Sequence, residues 1–440
     1  MTDVKKLSRR RFLRQSGALA AAGVATPCLI PREVLGLADT PGANDRIGIG
    51  GIGIGRQGSG VLGGSSREGR VVAIADINEP RAKQTAAKYK AEAYTDYRKL
   101  LERKDIDAIV TATPDHWRAR VCIHAAQAGK DIYAEKPLCL TIKEGRAIAN
   151  AVRKHKRVFQ TGSQQRSLSA NRRACELIRN GYIGKVHTVI GSNYPSPWRM
   201  DLPGQDAPAG LDWNEWCGPA PLVPYNIDLY TPRRKPGWIS VWPYSGGEMT
   251  GWGAHGLDQI QWALGADEGG PLEVWCEDGK YEMPTFKEPV GSGQLNGLFG
   301  GKHKVHYRYP NDVEVTLDNG SGAGGIFIGD KGKIEIHRGN FKSNPAELAK
   351  VELKSTDERL YESNNHMQNW LDCMRTRKRC IADVEIGHRS CTVCHLGNIA
   401  RLAGRKLKWD PIKEIFPDDD EANKYLDVAR RKGYELPEPV

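Results

Sequence analysis

A glycine-rich turn between two apolar segments constrains the fold of this 440-residue chain more than any other feature. Alternating isoleucines over residues 46–54 predict a short buried strand. The turn that follows reads Gly53-Ile54-Gly55-Arg56-Gln57-Gly58. In this spacing the first glycine permits a tight turn, the second lets a phosphate approach the backbone, and the third lets a helix pack closely. The six residues therefore predict the pyrophosphate end of a dinucleotide-binding unit.

Asp76 ends a second apolar run, residues 71–75, eighteen residues after Gly58. A carboxylate at this place can accept hydrogen bonds from both ribose hydroxyls of an adenosine. It would repel a 2′-phosphate, so the sequence favours NAD over NADP as the cofactor.

The alternation of strands and helices continues to about residue 165. Later strands end at Thr113-Pro114, at Glu135-Lys136-Pro137 and at Thr161-Gly162. Such alternation predicts a parallel, doubly wound sheet, and ligands of these sheets bind beyond the carboxyl ends of the strands. We therefore expect further cofactor contacts from Thr113, Pro114, His116, Trp117, Glu135 and Lys136.

Beyond residue 166 the alternation stops. Short apolar segments such as 313–317, 325–328 and 333–336 are separated by Gly, Asn and Asp turns, which predicts an open antiparallel sheet with helices on one face. The predicted fold class is α/β, with an N-terminal Rossmann dinucleotide-binding domain over 44–165. The prediction adds a C-terminal α+β domain over 166–440, with a large, mostly antiparallel open sheet, for substrate binding and oligomerisation.

Three motifs resemble the Gfo/Idh/MocA oxidoreductases. They are Thr113-Pro-Asp-His-Trp117, Ala134-Glu-Lys-Pro137 and the segment from Gly246 to Asp258. The resemblance extends from Asn44 to the C-terminus. It implies a two-domain NAD(P)-dependent dehydrogenase, usually a homo-oligomer, that acts on sugars, cyclitols or related polyols.

The resemblance also implies roles for individual residues. Lys136 matches the proton relay, since a lysine beside a cofactor ring can have its pKa lowered towards the working pH. His255 matches the family's active-site histidine, while Gly251 stands where the family usually has a carboxylate. Aromatic faces suit sugar rings, and the expected substrate contacts are Arg166, Tyr194, Trp252 and Asp258. His255 and Asp258 alone offer too few ligands for a metal, so no metal site is predicted.

Three functions remain open at this level. The first is oxidation of a hydroxyl with NAD. The second is redox-neutral cleavage of a glycoside, in which oxidation acidifies a neighbouring C–H, elimination expels the leaving group and the hydride returns. The third is a sugar- or nucleotide-binding protein without catalytic activity. Export of the protein would favour the second function, because one tightly held cofactor then suffices.

The first 38 residues resemble a twin-arginine signal peptide. A basic segment containing Arg9-Arg10-Arg11-Phe12-Leu13 precedes a run of small residues and a small-residue cleavage site near Ala38. The sequence therefore predicts export, with a periplasmic location. These residues carry seven basic and two acidic side chains and so contribute +5 of the net charge of +11. The thin remaining surplus argues against nucleic-acid binding, and no apolar run approaches the length of a membrane span.

The ten cysteines are scattered, mostly in apolar segments, as expected of buried free thiols. Cys391-Thr-Val-Cys394-His395 also matches a haem-attachment pattern. The apolar residues around it have helical spacing, so a helix that faces the core explains both cysteines, and haem attachment, which acts on unfolded chain, would conflict with export of a folded protein.

Overall fold

The N-terminal part of the computed structural model is a parallel sheet of six strands. The structure describes residues 46–233, 237–288 and 303–438, so the signal predicted over 1–38 lies outside the described residues. The strands are β1 (Gly48–Ile52), β2 (Arg70–Ala75), β3 (Glu92–Tyr94), β4 (Ala108–Thr111), β5 (Asp131–Ala134) and β6 (Phe159–Thr161). Their order is β3-β2-β1-β4-β5-β6, and every pairing is parallel. This confirms the predicted doubly wound Rossmann domain.

Five helices connect these strands, and local signals explain where several begin. They are α1 (Arg56–Ser65), α2 (Glu79–Tyr89), α3 (Tyr97–Leu101), α4 (Asp115–Gln127) and α5 (Ile142–Lys154). The Asn78 side chain accepts from the backbone N–H of Arg81 and so caps α2. Thr141 caps α5 by accepting from the N–H of Glu144.

The C-terminal part contains a larger sheet of eight strands. These are β7 (Val186–Ser192), β9 (Glu273–Cys276), β11 (Val305–Arg308), β12 (Glu314–Asp318), β13 (Gly325–Gly329), β14 (Gly332–Ile336), β15 (Phe341–Asn344) and β16 (Leu407–Lys408). Their order is β15-β14-β13-β7-β12-β11-β9-β16, and only the β7–β12 pairing is parallel. The expected large, mostly antiparallel sheet is confirmed. A separate pair joins β8 (Arg199–Met200) to β10 (Thr285–Phe286).

Within the described residues, eight more helices accompany this sheet. They are α6 (Ser169–Arg179), α7 (Trp213–Cys217), α8 (Ile227–Tyr230), α9 (Glu248–Gly251), α10 (Gly253–Ala263), α11 (His366–Thr376), α12 (Val384–Ala403) and α13 (Asp420–Asn423). Strand residues such as Val189, Leu317 and Phe327 are fully buried in a core shared with α6, α10 and α12. No helix among the described residues is long and apolar enough to cross a membrane.

Two C-terminal helices return to the Rossmann domain, where α11 packs on α1 and α12 packs on α5. Cys391 and Cys394 are buried on α12, which agrees with the helical interpretation of that segment. The nine cysteines within the described residues are all unpaired. The packing of α12 on α5 brings residues of the two domains together close to the carboxyl ends of the parallel strands.

Candidate active site

A cavity of about 730 Å³ lies at the carboxyl ends of the parallel strands and is lined from both domains. This volume is typical of sites for small molecules and cofactors. The following sequence-predicted residues line it: Gly53, Gly55, Arg56, Gln57, Asp76, Thr113, Pro114, Trp117, Glu135, Lys136, Trp252 and His255. The strand ends therefore converge as the doubly wound topology requires.

The glycine turn has the shape needed for a pyrophosphate. Gly53 has a φ of +68°, and a Cβ there would collide with Thr113. Among the residues that the structure describes, none lies within 4 Å of a Cβ added at Gly55, and no side chain caps the N-terminus of α1. Gly58 is buried, with Gly53 O 3.0 Å from the position of an added Cβ. The backbone N–H groups at this helix start are thus free to meet a phosphate.

Asp76 is held by four hydrogen bonds. One oxygen accepts from the backbone N–H of Ile54 (2.9 Å) and from Arg81 Nε (2.8 Å). The other accepts from the N–H of Asn78 (2.9 Å) and from an Arg81 Nη (2.7 Å). Ile54 itself is buried, and it contributes to the site through this backbone N–H. The carboxylate is saturated, and an arginine that can meet a phosphate lies against it.

Sequence reasoning missed Arg81, which lines the cavity beside Asp76. The available signal was its position five residues after Asp76, in the first turn of the following helix. The repulsion of a 2′-phosphate by Asp76 is therefore offset by a neighbouring cation.

Glu135 has one oxygen that is occupied and one that is not. Its Oε1 accepts from Gln57 Nε2 (3.1 Å) and Gln164 Nε2 (2.9 Å). Its Oε2 is buried and has no hydrogen-bond partner among the described residues. A buried acceptor without a partner costs free energy, so a ligand hydroxyl or amide would stabilise it. Together with the open space at Gly55, this acceptor fits a dinucleotide.

Lys136 extends across the cavity to the C-terminal domain. Its Nζ donates to the carbonyl oxygen of Gly251 at 3.2 Å. Burial lowers the pKa of Lys136, and Arg233 lowers it further, while Glu135 opposes the shift. A lysine in this state can lose a proton more readily than one in water, as a general base must.

His255 lies on α10 beside Lys136. Burial lowers its pKa to about 2, and the charges of Lys136 and Arg338 act in the same direction. The imidazole is therefore neutral at ordinary pH and offers one donor and one acceptor. The ring of Trp252 lies 5.6 Å from it, between centroids, and is 43% exposed.

The Glu248 carboxylate lies next to Gly251, the position at which the family usually has a carboxylate. A Cβ at Gly251 would stand 2.9 Å from Glu248 Oε2. The Glu248 carboxylate pairs with Arg233 at 2.9 and 3.0 Å, and its charge raises the pKa of Lys136. A negative charge is thus present near Lys136, although it comes from a residue one turn earlier than the family pattern predicts.

The structure does not bring Arg166 and Asp258 to the cavity wall. Arg166 Nε donates to both oxygens of Asp258, at 2.8 and 3.0 Å, and its Nη atoms bind Asp267. Ser390 also donates to Asp258. Arg166 and Asp258 are almost fully buried, so their charges are compensated internally.

His116 and Tyr194 also lie outside the cavity lining, and both are buried. The ring nitrogens of His116 lie 2.9 Å from Trp216 O and 3.3 Å from Tyr244 O, and burial lowers its pKa to about 4. The hydroxyl of Tyr194 donates to Gly322 O. The polar atoms of both side chains therefore bind backbone carbonyls outside the cavity lining.

Comparison with known proteins accounts for almost all of the described chain. A family model for "Oxidoreductase family, NAD-binding Rossmann fold" matches residues 46–163. A second, for "Oxidoreductase family, C-terminal alpha/beta domain", matches residues 177–436. Both belong to the Gfo/Idh/MocA group. An aldose-aldose oxidoreductase from Caulobacter crescentus has the same fold, with a TM-score of 0.55 and 16% identity over 82% of this chain and 99% of that one.

Curated relatives match over a shorter stretch. A levoglucosan dehydrogenase of Pseudarthrobacter phenanthrenivorans is 34% identical over 129 residues, which is 29% of this chain and 33% of the relative. A glycosyl hydrolase family 109 protein of Shewanella pealeana is 32% identical over 163 residues, or 32% of this chain and 35% of the relative. The matched stretch therefore spans about a third of these relatives' own length.

Proposed function

Because the chain belongs to the Gfo/Idh/MocA oxidoreductase family, we propose that it oxidises a secondary hydroxyl of a sugar or cyclitol with a nicotinamide dinucleotide. The observation that carries this proposal is the Lys136 amine, which lies in the cavity at 3.2 Å from Gly251 O with a lowered pKa. It stands one residue from Glu135, whose buried oxygen is without a partner among the described residues.

The bound nicotinamide would supply the hydride acceptor. The neutral amine of Lys136 removes the proton from the substrate hydroxyl in the direction of oxidation and returns it in reduction. His255 is neutral, and so it orients that hydroxyl by a hydrogen bond and passes a proton only by exchanging tautomers.

The cofactor is held by residues of the Rossmann domain. The N-terminus of α1 and Gly55 would hold the pyrophosphate, and Glu135 Oε2 would accept a hydrogen bond from the nicotinamide half. NAD is the proposed cofactor, since Asp76 is fixed at the adenosine end by the N–H groups of Ile54 and Asn78. Arg81 would have to release Asp76 for this carboxylate to accept ribose hydroxyls.

A hydroxyl-rich substrate suits the opposite wall. Trp238 and Trp252 line the cavity with aromatic surface, and Arg338 and His255 add polar groups beside them. Sugar rings present C–H faces and hydroxyl rims, which match such a wall. The relative from Pseudarthrobacter phenanthrenivorans is itself a levoglucosan dehydrogenase, which supports an anhydrosugar or pyranose as the substrate class.

The test is a panel of sugars and cyclitols incubated with the purified chain and NAD, following the absorbance of the reduced cofactor. We expect turnover with one group of related compounds, and its loss in Lys136→Met. Lys143→Met, on the exposed side of α5, is the control and keeps full activity. Turnover that survives in Lys136→Met, or binding of sugar without any turnover, would refute the proposed role.

A second candidate is redox-neutral cleavage of a glycoside, favoured by the similarity to a glycosyl hydrolase family 109 protein. The same Lys136 amine would remove the proton that the transient ketone acidifies. Release of the leaving group from a glycoside without added NAD distinguishes this function, because a dehydrogenase would stop after one turnover.

We also propose that the chain is exported through the twin-arginine route, on the basis of the residue pattern over 1–38. Replacement of Arg9-Arg10-Arg11 by lysines should retain the precursor in the cytoplasm. Periplasmic recovery of that variant would contradict the proposal.

The open face of the eight-stranded sheet supports self-association. Ile190, Ile326 and Trp275 alternate along their strands with core residues and remain partly exposed on this face. Covering such a surface stabilises an oligomer. Light scattering of the purified chain should give a multiple of its 48.6 kDa mass, and a monomer would exclude this role for the sheet.

A further inference from the structure

Two cysteines and a histidine from distant parts of the chain converge beneath the active site. Donor atoms of Cys139, Cys391 and His395 all lie within 4.8 Å of one another, and the three side chains are buried. Cys139 follows Lys136 by three residues, while Cys391 and His395 are one turn apart on α12. We call these three residues the thiol–imidazole cluster.

The separation of the two thiols fits a tetrahedral metal site. The two sulfur atoms are 3.6 Å apart. With Zn–S bonds of about 2.3 Å, the edge of a tetrahedron between two sulfurs is about 3.8 Å. The ring of His395 is fixed by its Nε2, which lies 3.1 Å from the carbonyl oxygen of Cys139. Anchoring of this kind is usual for histidines that bind a metal.

His388 supplies an independent observation. It lies one turn before Cys391 on α12, is completely buried, and its Nε2 is 2.6 Å from Glu414 Oε1. Its Nδ1 has no hydrogen-bond partner among the described residues. A Cβ added at Gly145 would collide with both His388 Nδ1 and Cys139 Sγ, so these two atoms approach the same point of α5.

Hydrogen bonds give each of the three cluster residues a partner, including one from the Cys391 thiol to Cys139 O, but they leave out the neighbouring His388. The thiol of Cys139 can donate to Cys391, and His395 can donate to Cys139 O. Neither contact gives His388 Nδ1 a partner. A histidine held by a carboxylate through one nitrogen, with the other nitrogen free, is the arrangement in which metal-binding histidines are found.

We propose that Cys139, Cys391 and His395 bind one Zn²⁺ ion, and that His388, whose ring lies outside this group of three, moves to complete a closed Cys₂His₂ site. Binding converts two thiols to thiolates and releases their two protons to solvent, with no change of oxidation state. Two thiolates neutralise the two positive charges of the ion. A neutral complex is the one that a buried site accommodates at least cost, and thiolate with imidazole favours zinc over magnesium or calcium.

The ion would fix the segment that carries Lys136. Cys139 belongs to the connection between β5 and α5, whereas the other three ligands lie on α12. Zinc would therefore join the Rossmann domain to the C-terminal domain within three residues of the proton relay. The ion has a positioning role, because it does not line the active-site cavity.

The test is the metal content of the full-length protein after dialysis against a weak chelator. We expect about one zinc per chain in the wild type and less than about a tenth of that in Cys139→Ser and Cys391→Ser. Cys394→Ser is the matched control, since Cys394 is buried on the same helix but outside the cluster. It should keep the full zinc content. Zinc retained equally in all variants would place the metal elsewhere and overturn the proposal.

A second measurement needs no variant. Protein produced in zinc-depleted medium is titrated with Co²⁺, which reports thiolate ligands by charge-transfer absorption and tetrahedral geometry by strong visible bands. We expect these bands to saturate at about one Co²⁺ per chain and to disappear when Zn²⁺ is added. Absence of zinc from the purified protein together with absence of the cobalt bands would refute the site, whatever the catalytic activity.

Discussion

Replacement of Lys136 by methionine tests the central role in the proposed chemistry. Methionine keeps most of the side-chain volume but removes the amine that reaches Gly251 O at 3.2 Å. General acid–base catalysis contributes about 10²- to 10⁴-fold. We therefore expect kcat to fall by about that factor, which is about 3 to 5 kcal/mol of transition-state free energy. KM should change by less than about tenfold, because the other walls of the cavity remain intact.

The pH dependence identifies which group loses the proton. Burial lowers the pKa of Lys136, and oxidation needs its neutral form. The rate of oxidation should therefore rise with pH through that pKa and then level, whereas the rate of reduction should fall above it. His255, with a pKa of about 2, contributes no step in the neutral range.

Lys136→Arg separates charge from proton transfer. Arginine keeps the positive charge but does not lose its proton at accessible pH, so this variant should be as slow as Lys136→Met. The assay is initial rate against pH for wild type and both variants, with Lys143→Met as the control. Full rates in Lys136→Arg, or an unchanged ascending limb in Lys136→Met, would refute the reasoning.

Three further outcomes follow from other parts of the structure. Arg166→Met leaves Asp258 buried without its cation, so the free energy of unfolding in a denaturant titration should fall by about 3 to 5 kcal/mol. The KM of the folded Arg166→Met variant should equal that of the wild type, and a raised KM would indicate that Arg166 contacts the substrate. Arg81→Ala removes the cation beside Asp76, so calorimetry should show NADP binding weakened about tenfold or more relative to NAD; equal losses would contradict this. Glu248→Gln removes a charge that raises the pKa of Lys136, so the ascending limb should move to lower pH, and a shift to higher pH would exclude the interaction.

Local pattern was sufficient to predict the parallel sheet and the part of the cavity that its strand ends form. The glycine turn, Asp76, Thr113 and Lys136 each follow a strand. In a doubly wound sheet, the carboxyl ends of the strands share one edge whatever the lengths of the connections. Their convergence therefore depends on topology, which the alternation of strands and helices already determines.

Contacts between the domains could not be predicted in this way. The Arg166–Asp258 pair joins residues 92 positions apart, and Cys139 and Cys391 are 252 positions apart. Separations this long along the chain leave no helix or strand period in the sequence from which the contact could be predicted. Arg166 and Asp258 therefore looked like polar residues available to a substrate, while the structure pairs them with each other inside the core.

At Gly251 the sequence lacks the carboxylate of the family motif, but the structure places another carboxylate close by. The motif fixes a sequence position, but catalysis depends on the position of a charge in space. Here α9 places the Glu248 carboxylate 2.9 Å from where a Cβ at Gly251 would be, and Arg233 holds it there. A side chain at 251 would displace this carboxylate or be repelled by it. The glycine is therefore compatible with a charged active site. Arg233 lowers the pKa of Lys136 and Glu248 raises it, so the charge of the amine depends on both residues.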